Sequence, residues 1–367
     1  MSNTIRIPVP TLQAFMADVF IALGTPAAEA AITAEVLITS DLWGIESHGV
    51  GRLKMYYDRI KAGIQLPVTH FEVVKDTPTT AVIDGHRGLG QVIGTRAMEL
   101  ALEKARAYGL GAVAVRNSSH FGIAGYYSLM AVRQGMVGLA FTNARPSIAP
   151  TFSVMPMLGT NPIAFGAPSD EPFPFLYDAA TSIIQRGKVE VLDRAEKPTP
   201  PGWVIAADDS PATDSARILK DLNTGAAALL PLGGAGTEMS GHKGYGLATM
   251  VEIFSAAFQS GAFLWALTDT DAEGKPQPLR LGHFFLAMDV EHFVPLDQFQ
   301  RTVGDILRQL RAATKAPGQE RIYTAGEKEY ESAQRVRREG VPANPNLQKN
   351  LKVIQSDLGL HHHDLGF

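Results

Sequence analysis

The segment AVIDGHRGLGQVIGTRAMELALEKARAYGLGAVAVRN, residues 81–117, decides the fold class. It opens and closes with short β-branched runs, which are typical of strands. Between these runs, Gln91–Tyr108 has apolar residues at the spacing of an amphipathic helix. The order strand, helix, strand predicts that the middle of the chain is α/β.

The flanking sequence extends this pattern in both directions. The N-terminal quarter predicts helices, one capped by Thr11 and a second starting at Thr25 and Pro26. An amphipathic helix follows Pro295, and we expect the tail around Asn344 to form an arm over the surface. The predicted strands of the middle are Phe71–Val74, Thr80–Asp84, Ala112–Val115 and Met136–Thr142.

Three glycines of the opening segment invite comparison with a Rossmann dinucleotide-binding unit. Gly88, Gly90 and Gly94 are spaced GxGxxxG, which is one residue longer than the GxGxxG of that unit. The second strand ends in Arg116, where the NAD-binding unit has an acidic residue for the ribose. We therefore favour a different fold.

The composition excludes several classes of protein. The 367 residues include 33 basic and 37 acidic side chains, a net charge of -4, and no cysteine. Without cysteine there is no disulfide scaffold, no thiol nucleophile and no cysteine-ligated zinc site. The near balance of charge argues against nucleic acid or a membrane as a partner. Charged residues interrupt each apolar run, and the N-terminus lacks the apolar region of a signal peptide, so we expect a cytoplasmic protein.

The first candidate site is SHGVGRLKMYYDRIKAG, residues 47–63. On a helix that turns about 100° per residue, His48, Arg52 and Tyr56 lie on one stripe. Together they suit a small acid, because arginine binds a carboxylate, histidine transfers a proton and tyrosine donates a hydrogen bond. A solvated helix face explains the same spacing equally well.

The second candidate site is VAVRNSSHFGIAGYYSLMA, residues 113–131. A β-branched run ends at Asn117 and a helix is predicted from about Gly122, which places His120 at the start of that helix. There the helix dipole and free N–H groups lower an imidazole pKa, which gives a base that is neutral near pH 7. The alternative is a histidine that packs at a turn beside a serine cap.

Two further segments offer groups for a cofactor or an anion. In FLYDAATSIIQRGK, residues 175–188, an apolar run ends at Asp178, whose carboxylate suits a ribose or an imidazole; a capping role is the alternative. In LGGAGTEMSGHKGYGLATMVEIFSAAF, residues 232–258, a glycine-rich loop leads into a long helix. Backbone N–H groups, His242 and Lys243 converge there on a possible phosphate site, unless the glycines only serve tight turns.

We expect no metal site. His361–His363 could chelate an ion, but a solvated tail is the simpler explanation. The chain has no HExxH motif and no comparable spaced cluster of histidine and aspartate.

Several of these segments, taken in order, resemble the type 2 malate/L-lactate dehydrogenase family. The resemblance spans most of the chain, and long motifs in one order make it specific. It rests on SHGVGRLKMYYDRIKAG (47–63), SSHFGIAGYY (118–127), TNARPSIAP (142–150), GTNPIAFGAP (159–168), DAATSIIQRGK (178–188), GHKGYGLA (241–248), GHFFLAMDV (282–290) and TAGEKE (324–329).

The resemblance implies an α/β fold with a non-Rossmann, mixed-sheet NAD(P)-binding core and a helical domain built from both termini. We accordingly expect residues 1–66 and 295–367 to form the terminal domain, 67–115 a small α/β segment and 116–294 the NAD(P)-binding domain. The resemblance also implies a homodimer in which terminal helices complete the active site of the other subunit.

The resemblance assigns candidate roles by position. His48 and His120 match histidines that act as acid or base in different members, and Arg52 and Tyr56 match a substrate-facing helix. Arg145 stands where the family usually has serine, so it would favour a dicarboxylate or bulkier acid, or point outwards. The segments that match cofactor contacts contribute Asp178, Ala179, Ala180, Thr181, Ser182, Lys188, His242, Lys243, Gly326 and Glu327.

The expected function is that of an NAD(P)-dependent 2-hydroxy acid dehydrogenase of the malate or lactate class, which forms the 2-oxo acid by hydride transfer. Arg52 would hold the substrate carboxylate, and His48 is preferred to His120 as proton donor because it shares the stripe of Arg52. The first alternative is a ketimine reductase acting on a cyclic 2-imino acid. The second is a non-redox acid-binding or lyase-type protein. Either NAD or NADP fits this expectation.

Overall fold

The computed structural model describes residues 4–271 and 273–367. Helices and strands alternate through the middle of the chain, and helices dominate both ends. Short 3-10 helices lie at Val50–Arg52, Leu264–Leu267 and Val290–His292. The other elements, in chain order, are β1 Ile5–Ile7, α1 Val9–Ala22, α2 Ala27–Leu42, α3 Leu53–Lys61, β2 Glu72–Asp76, β3 Thr80–Asp84, α4 Gly90–Tyr108, β4 Leu110–Ser118, α5 Gly125–Val132, β5 Met136–Thr142, β6 Ile163–Ala167, β7 Phe175–Ala179, α6 Arg186–Arg194, β8 Val204–Ala206, α7 Ser215–Thr224, β9 Ala227–Leu229, α8 Gly241–Ala256, β10 Leu281–Asp289, α9 Leu296–Arg311, α10 Glu327–Glu339, β11 Val341–Ala343 and α11 Pro345–Asp357.

A seven-stranded mixed sheet forms the centre of the structure, with the strand order β2-β3-β4-β10-β5-β6-β7. β3 and β4 run parallel, whereas the other neighbouring strands run antiparallel. The segment that opens the sequence analysis is therefore one strand–helix–strand unit within a largely antiparallel sheet. A Rossmann fold has a mostly parallel sheet, so this core is not one.

Helices cover both faces of the sheet. Successive side chains of a strand point to opposite faces, so on β10 Phe285 packs towards α4 and α5 while Phe284 packs towards α8. The first face is a continuous core that includes Ile93 and Met98 of α4. On the other face Val251 of α8 contacts the cluster around Phe284.

The glycines of the apparent Rossmann motif allow α4 to pack closely. A Cβ at Gly90 would lie 2.3 Å from the carbonyl oxygen of Ser119, and one at Gly94 would lie 2.7 Å from the ring of Tyr127. The start of α4 is thus pressed against the loop that carries His120. Gly90 and Gly94 are therefore explained by the close packing of α4 on this loop and on α5, not by a bound dinucleotide.

The two ends of the chain together build a mostly helical unit, as the resemblance implied. β1 pairs antiparallel with β11, with Ile5 opposite Ala343. α1, α2, α3 and α11 enclose one core that includes Phe15, Phe20 and Leu351. The division of the chain at residues 66, 115 and 294 stays a prediction; β4 runs across the second of these boundaries.

Two expectations about the chain ends are wrong. α1 starts directly after Pro8, so Thr11 lies inside the helix and does not cap it. The tail forms a helix instead of a surface arm, because Asn344 caps α11 and Pro345 fits its first turn. α11 packs on the helical core through the buried Ile354.

A smaller lobe lies between β7 and α8 in sequence. β8 pairs with β9, and α6 and α7 pack around them on a core that includes Val189, Ile218 and Leu229. This lobe places α6 beside the sheet. Of the helices in the described ranges, none has both the length and the apolar character needed to cross a membrane.

Candidate active site

A cleft of about 780 Å³ opens between the terminal helical unit, the sheet and the small lobe. The segments that form it are far apart in sequence and meet only in the folded chain. Of the residues predicted for the site, it is lined by His48, Arg52, His120, Arg145, Asp178, Ala179 and Ala180.

His48 and Arg52 reach the cleft from a turn. The chain forms a 3-10 helix at Val50–Arg52 and becomes α-helical only in α3, so the predicted helical stripe from His48 to Tyr56 is wrong. The two side chains nevertheless meet in the cleft. The Nε of Arg52 donates to the carbonyl oxygen of Ser47 at 2.5 Å, which ties the guanidinium to the same turn.

A buried carboxylate at the end of α2 holds this turn. Oδ2 of Asp41 accepts a hydrogen bond from the N–H of Val50 at 2.8 Å. A Cβ at Gly49 would lie 2.0 Å from Asp41, so only glycine fits beside it. Burial raises the pKa of Asp41 to about 8. Sequence reasoning missed Asp41, although the glycine that follows His48 was a local signal of a close contact.

His120 lies in the loop between β4 and α5. Its ring is stacked against that of His48, with centroids 5.4 Å apart. Its Nδ1 is 2.5 Å from the hydroxyl of Tyr56, which is fully buried behind it. Nε2 is therefore the ring nitrogen left for a ligand. α5 begins only at Gly125, so the prediction that His120 starts a helix is wrong.

Both histidines are neutral at pH 7. Burial lowers the pKa of His48 to about 4, and the charge of Arg52 adds to this effect. Burial also lowers the pKa of His120 well below its usual value, with further contributions from His48, Arg52 and Arg59. Burial and cations, and not a helix dipole, are thus the causes. An anion bound here would offset the cations and raise both pKa values.

Asp178 joins the wall of the cleft to α5. Its Oδ2 accepts a hydrogen bond from the N–H of Gly125 at 2.7 Å. It thereby satisfies the first backbone N–H of α5 from a distant strand, and it also lines the cleft beside Ala179 and Ala180. Burial raises the pKa of Asp178 to about 6, although the Gly125 N–H opposes that rise.

Thr181 and Ser182 lie behind the cleft wall and are almost fully buried. The hydroxyl of Thr181 donates to the carbonyl oxygen of Asn161 at 3.0 Å. The hydroxyl of Ser182 makes no hydrogen bond within the described ranges, 4–271 and 273–367. Thr181 thus fixes the backbone that presents Asp178.

Arg145 reaches the rim of the cleft from the loop after β5. Its Nη1 lies 3.2 Å from Oδ1 of Asp269, and Nη2 of Arg59 lies 3.3 Å from Oδ2 of the same carboxylate. Two guanidinium groups therefore share one carboxylate, which leaves a net positive charge. Sequence reasoning missed the contact between Arg59 and Asp269, because it joins positions 210 residues apart.

The loop of Arg145 is held by Glu252 of α8. Oε2 of Glu252 accepts from Nδ2 of Asn161 at 2.8 Å, and Oε1 accepts from the N–H of Leu264 at 2.9 Å. Oδ1 of Asn161 in turn accepts from the N–H of Ala144 at 3.2 Å. Sequence reasoning missed this network, although the asparagines of the TNARPSIAP and GTNPIAFGAP motifs belong to it.

Three of the residues expected at the cofactor lie outside the cleft lining, on α6 and α8. Lys188 places its ammonium group over the ring of Trp203, 5.7 Å from the centroid. His242 and Lys243 occupy the exposed first turn of α8. The predicted glycine-rich loop and helix start therefore exist, but Lys188, His242 and Lys243 do not line the cleft of the two histidines.

Gly326 and Glu327 also lie outside the cleft lining, at the start of α10. Gly326 has a φ of 94°, and a Cβ there would lie 2.5 Å from the carbonyl oxygen of Pro174. The buried Glu327 accepts from the N–H of Thr324 at 3.1 Å and pairs with Arg321. These contacts hold α10 against the start of β7, the strand of Asp178.

The fold and the cleft define a class of protein: an α/β enzyme with a non-Rossmann mixed sheet and a site of two neutral histidines among arginines. The family model described as malate/L-lactate dehydrogenase matches residues 7–352. The malate dehydrogenase of Pyrococcus horikoshii is 41% identical over 358 residues, which cover 98% of this chain and 97% of that protein. The L-sulfolactate dehydrogenase of Methanocaldococcus jannaschii is 39% identical, with 95% of each chain covered.

Solved structures agree with these relatives. The crystal structure of malate dehydrogenase from Entamoeba histolytica superposes with a TM-score of 0.95 at 42% identity and covers 100% of both chains. The chain belongs to the malate/L-lactate dehydrogenase family and is an oxidoreductase.

Proposed function

We propose that this protein is a nicotinamide-dependent dehydrogenase that interconverts a 2-hydroxy acid with a second acidic group, of the malate type, and its 2-oxo acid. The observation that carries the proposal is the meeting of Arg52, His48 and His120 in one cleft. The names of relatives support it, because malate has two carboxylates, and sulfolactate has a carboxylate and a sulfonate.

Arg52 is proposed to bind the carboxylate next to the reacting carbon. A guanidinium matches a carboxylate with two parallel hydrogen bonds, and such a pair fixes orientation as well as position. The contact with the Ser47 carbonyl uses Nε of Arg52 and leaves both terminal nitrogens for the substrate.

His120 is proposed as the proton donor and acceptor. The sequence alone favours His48, because a predicted helical stripe places it beside Arg52. When Nε2 gives or takes up the proton, Nδ1 keeps its N–H in both charge states and donates it to the Tyr56 hydroxyl oxygen, so Tyr56 holds the His120 ring throughout. His48 bonds instead to the hydroxyl of Ser47 on an exposed turn. The buried partner makes His120 the better oriented of the two rings.

Substrate binding is proposed to set the protonation state of His120. In the free protein its pKa is lowered by burial and by Arg52, Arg59 and His48. A bound dicarboxylate offsets those cations, so it raises the pKa and favours the protonated ring that reduction of a 2-oxo acid requires. Oxidation uses the neutral ring as base.

Arg145 and Arg59 are proposed to favour substrates with a second acidic group. Asp269 neutralises only one of these two guanidinium groups. The second carboxylate of a dicarboxylic acid, placed near Arg145, would therefore be attracted by this excess positive charge. The methyl group of a monocarboxylic acid such as lactate would not neutralise the excess charge.

The cleft fits a nicotinamide dinucleotide. It extends from the histidines to α6, where Arg186 and Arg194 line it, and guanidinium groups suit phosphate oxygens. The bound nicotinamide would accept or supply the hydride. Asp178, Ala179 and Ala180 are proposed to form the wall beside it. Contacts from Thr181, Ser182, Lys188, His242, Lys243, Gly326 and Glu327, and a cytoplasmic location, stay predictions.

A homodimer is also proposed. Large apolar side chains are exposed along and just after α8, and an apolar surface of this kind marks an interface. We call this surface the α8 apolar face; it comprises Leu247, Ile253, Phe258, Phe263 and Trp265. A second copy of the chain is the proposed occupant, because the family resemblance implies a homodimer.

Kinetics and cofactor titration test the proposed function. The purified protein is titrated with NADH and NADPH, then assayed with oxaloacetate and pyruvate. We expect a preference for oxaloacetate, and in Arg52→Ala a substrate KM raised about 100-fold with cofactor Kd unchanged. Arg301→Ala, on the exposed surface of α9, is the control. Failure of both cofactors to bind, or equal loss of substrate and cofactor binding in Arg52→Ala, would contradict the proposal.

A further inference from the structure

Two histidines of the C-terminal tail converge on one carboxylate of α1. Nε2 of His363 lies 2.7 Å from Oδ2 of Asp18, and Nε2 of His362 lies 3.2 Å from the same oxygen. The centroids of the two imidazole rings are 4.2 Å apart. The three donor atoms all lie within 4.8 Å of one another.

The protein itself holds most of this cluster in place. The side chain of His363 is only 9% exposed and its ring meets Phe15 edge to face at 5.5 Å. Nε2 of Gln355 donates to the carbonyl oxygen of His363 at 2.8 Å. His362 is 62% exposed, so its ring can adjust to a ligand without disturbing the core.

The donor chemistry suits a divalent transition metal. The carboxylate of Asp18 and one ring nitrogen from each of the two histidines converge on one point, so three ligand atoms are available to one ion. Two imidazole nitrogens and a carboxylate oxygen are ligands that Zn²⁺ and related ions prefer. Bonds of about 2.1 Å at tetrahedral or octahedral angles place neighbouring donors about 3.0–3.4 Å apart. The two separations between a histidine nitrogen and the Asp18 oxygen, 2.7 and 3.2 Å, are close to that range.

We propose that Asp18, His362 and His363 bind one Zn²⁺-type ion that fastens the end of the chain to α1. Water completes the coordination, because His362 and Asp18 face solvent. The ion is structural and takes no part in the reaction, since none of its ligands lines the cleft. This proposal differs from the expectation that His361–His363 form a solvated tail without a metal.

The tail that the ion fastens also closes the helical core. Leu360 and Leu365, on either side of the histidines, are buried in the core that α1 and α11 share. An ion that binds only the docked tail stabilises the docked state by mass action.

Calorimetric titration of the full-length, metal-free protein with Zn²⁺ tests this site, with a purification tag that contains no histidine. We expect one ion per chain and a higher thermal midpoint with Zn²⁺ present. His362→Gln should weaken binding at least tenfold and remove the thermal shift. His361→Gln is the matched control, because it removes an exposed neighbouring histidine and should change neither.

Three results would overturn the proposal. The first is no binding of Zn²⁺ to the wild-type protein. The second is equal loss in the two histidine variants, which would indicate a loose chelating tail. The third is full affinity in Asp18→Asn. Because the measurements are metal affinity and thermal stability, their outcome is independent of the proposed dehydrogenase activity.

Discussion

At the scale of single residues, Tyr56 links the helical core to the chemistry of the cleft. Its ring is fully buried, and its hydroxyl is the partner of Nδ1 of His120. Because phenylalanine fills the same space, Tyr56→Phe should remove the hydrogen bond and leave the packing intact. We expect kcat to fall about tenfold, which corresponds to the loss of one hydrogen bond in the transition state, and the free energy of unfolding to fall by about 1 kcal/mol.

The adjacent tyrosine is a matched control for this prediction. The hydroxyl of Tyr57 donates to Oδ2 of Asp357 at 2.5 Å, which connects α3 to α11 and lies outside the cleft. Tyr57→Phe should lower stability by about 1 kcal/mol without changing kcat. An equal fall of kcat in both variants, or none in Tyr56→Phe, would show that Tyr56 does not orient His120.

At the scale of elements, Asp41 couples the end of α2 to the turn that carries His48. The pKa of Asp41 is about 8 in the folded protein, against an ordinary value of 3.8. The folded chain therefore keeps a proton that the unfolded chain loses. The free energy of unfolding should fall as pH rises from about 4 to about 8, and this contribution should be constant above 8.

The variant Asp41→Asn isolates that contribution, because an amide oxygen still accepts the hydrogen bond from Val50 but does not titrate. Its stability relative to the wild type should increase by about 1 kcal/mol per pH unit between pH 5 and 8, and then level off. Unfolding midpoints of both proteins from pH 5 to 9 measure this. A difference in stability between Asp41→Asn and the wild type that does not change with pH would contradict the assignment.

The sequence predicted a helix or strand correctly where neighbouring residues determine it, and wrongly where a residue distant in sequence does or where one local signal fits two structures. β3 and β5 have the predicted bounds, because each is a short apolar run followed by turn residues. The prediction of a helix through residues 47–52 was wrong, because the side chain of Asp41 accepts a hydrogen bond from the N–H of Val50 and holds the chain in a turn. The tail was misjudged because Asn344 and Pro345 start a helix as readily as they form a turn.

The same reasoning applies to the candidate site. His48, Arg52 and His120 could be chosen from the sequence, since their short motifs concentrate groups that transfer protons or bind acids. Partners at long sequence separation could not be chosen. Arg59 and Asp269, for example, meet only because the fold brings their two loops to one rim of the cleft.

At the scale of the whole molecule, three parts build one cleft. The terminal helical unit supplies His48 and Arg52, the sheet and its loops supply His120 and Asp178, and the small lobe supplies the arginines of α6. α8 adds a connection, because Glu252 holds the loop of Arg145 and the next residue, Ile253, is exposed on the α8 apolar face. Docking of a second copy on the α8 apolar face would therefore stabilise the loop at the rim of the cleft.

That face can be tested with two isoleucines of equal exposure. Ile253 on α8 and Ile306 on α9 are each 53% exposed. A buried charge at an interface without a partner is strongly unfavourable, whereas an exposed one is tolerated. In sedimentation velocity experiments, we expect the wild type and Ile306→Asp to be dimers and Ile253→Asp to be a monomer with a raised KM for oxaloacetate. If Ile306→Asp alone dissociates, the interface lies on α9, and if the wild type is a monomer, the proposed homodimer is wrong.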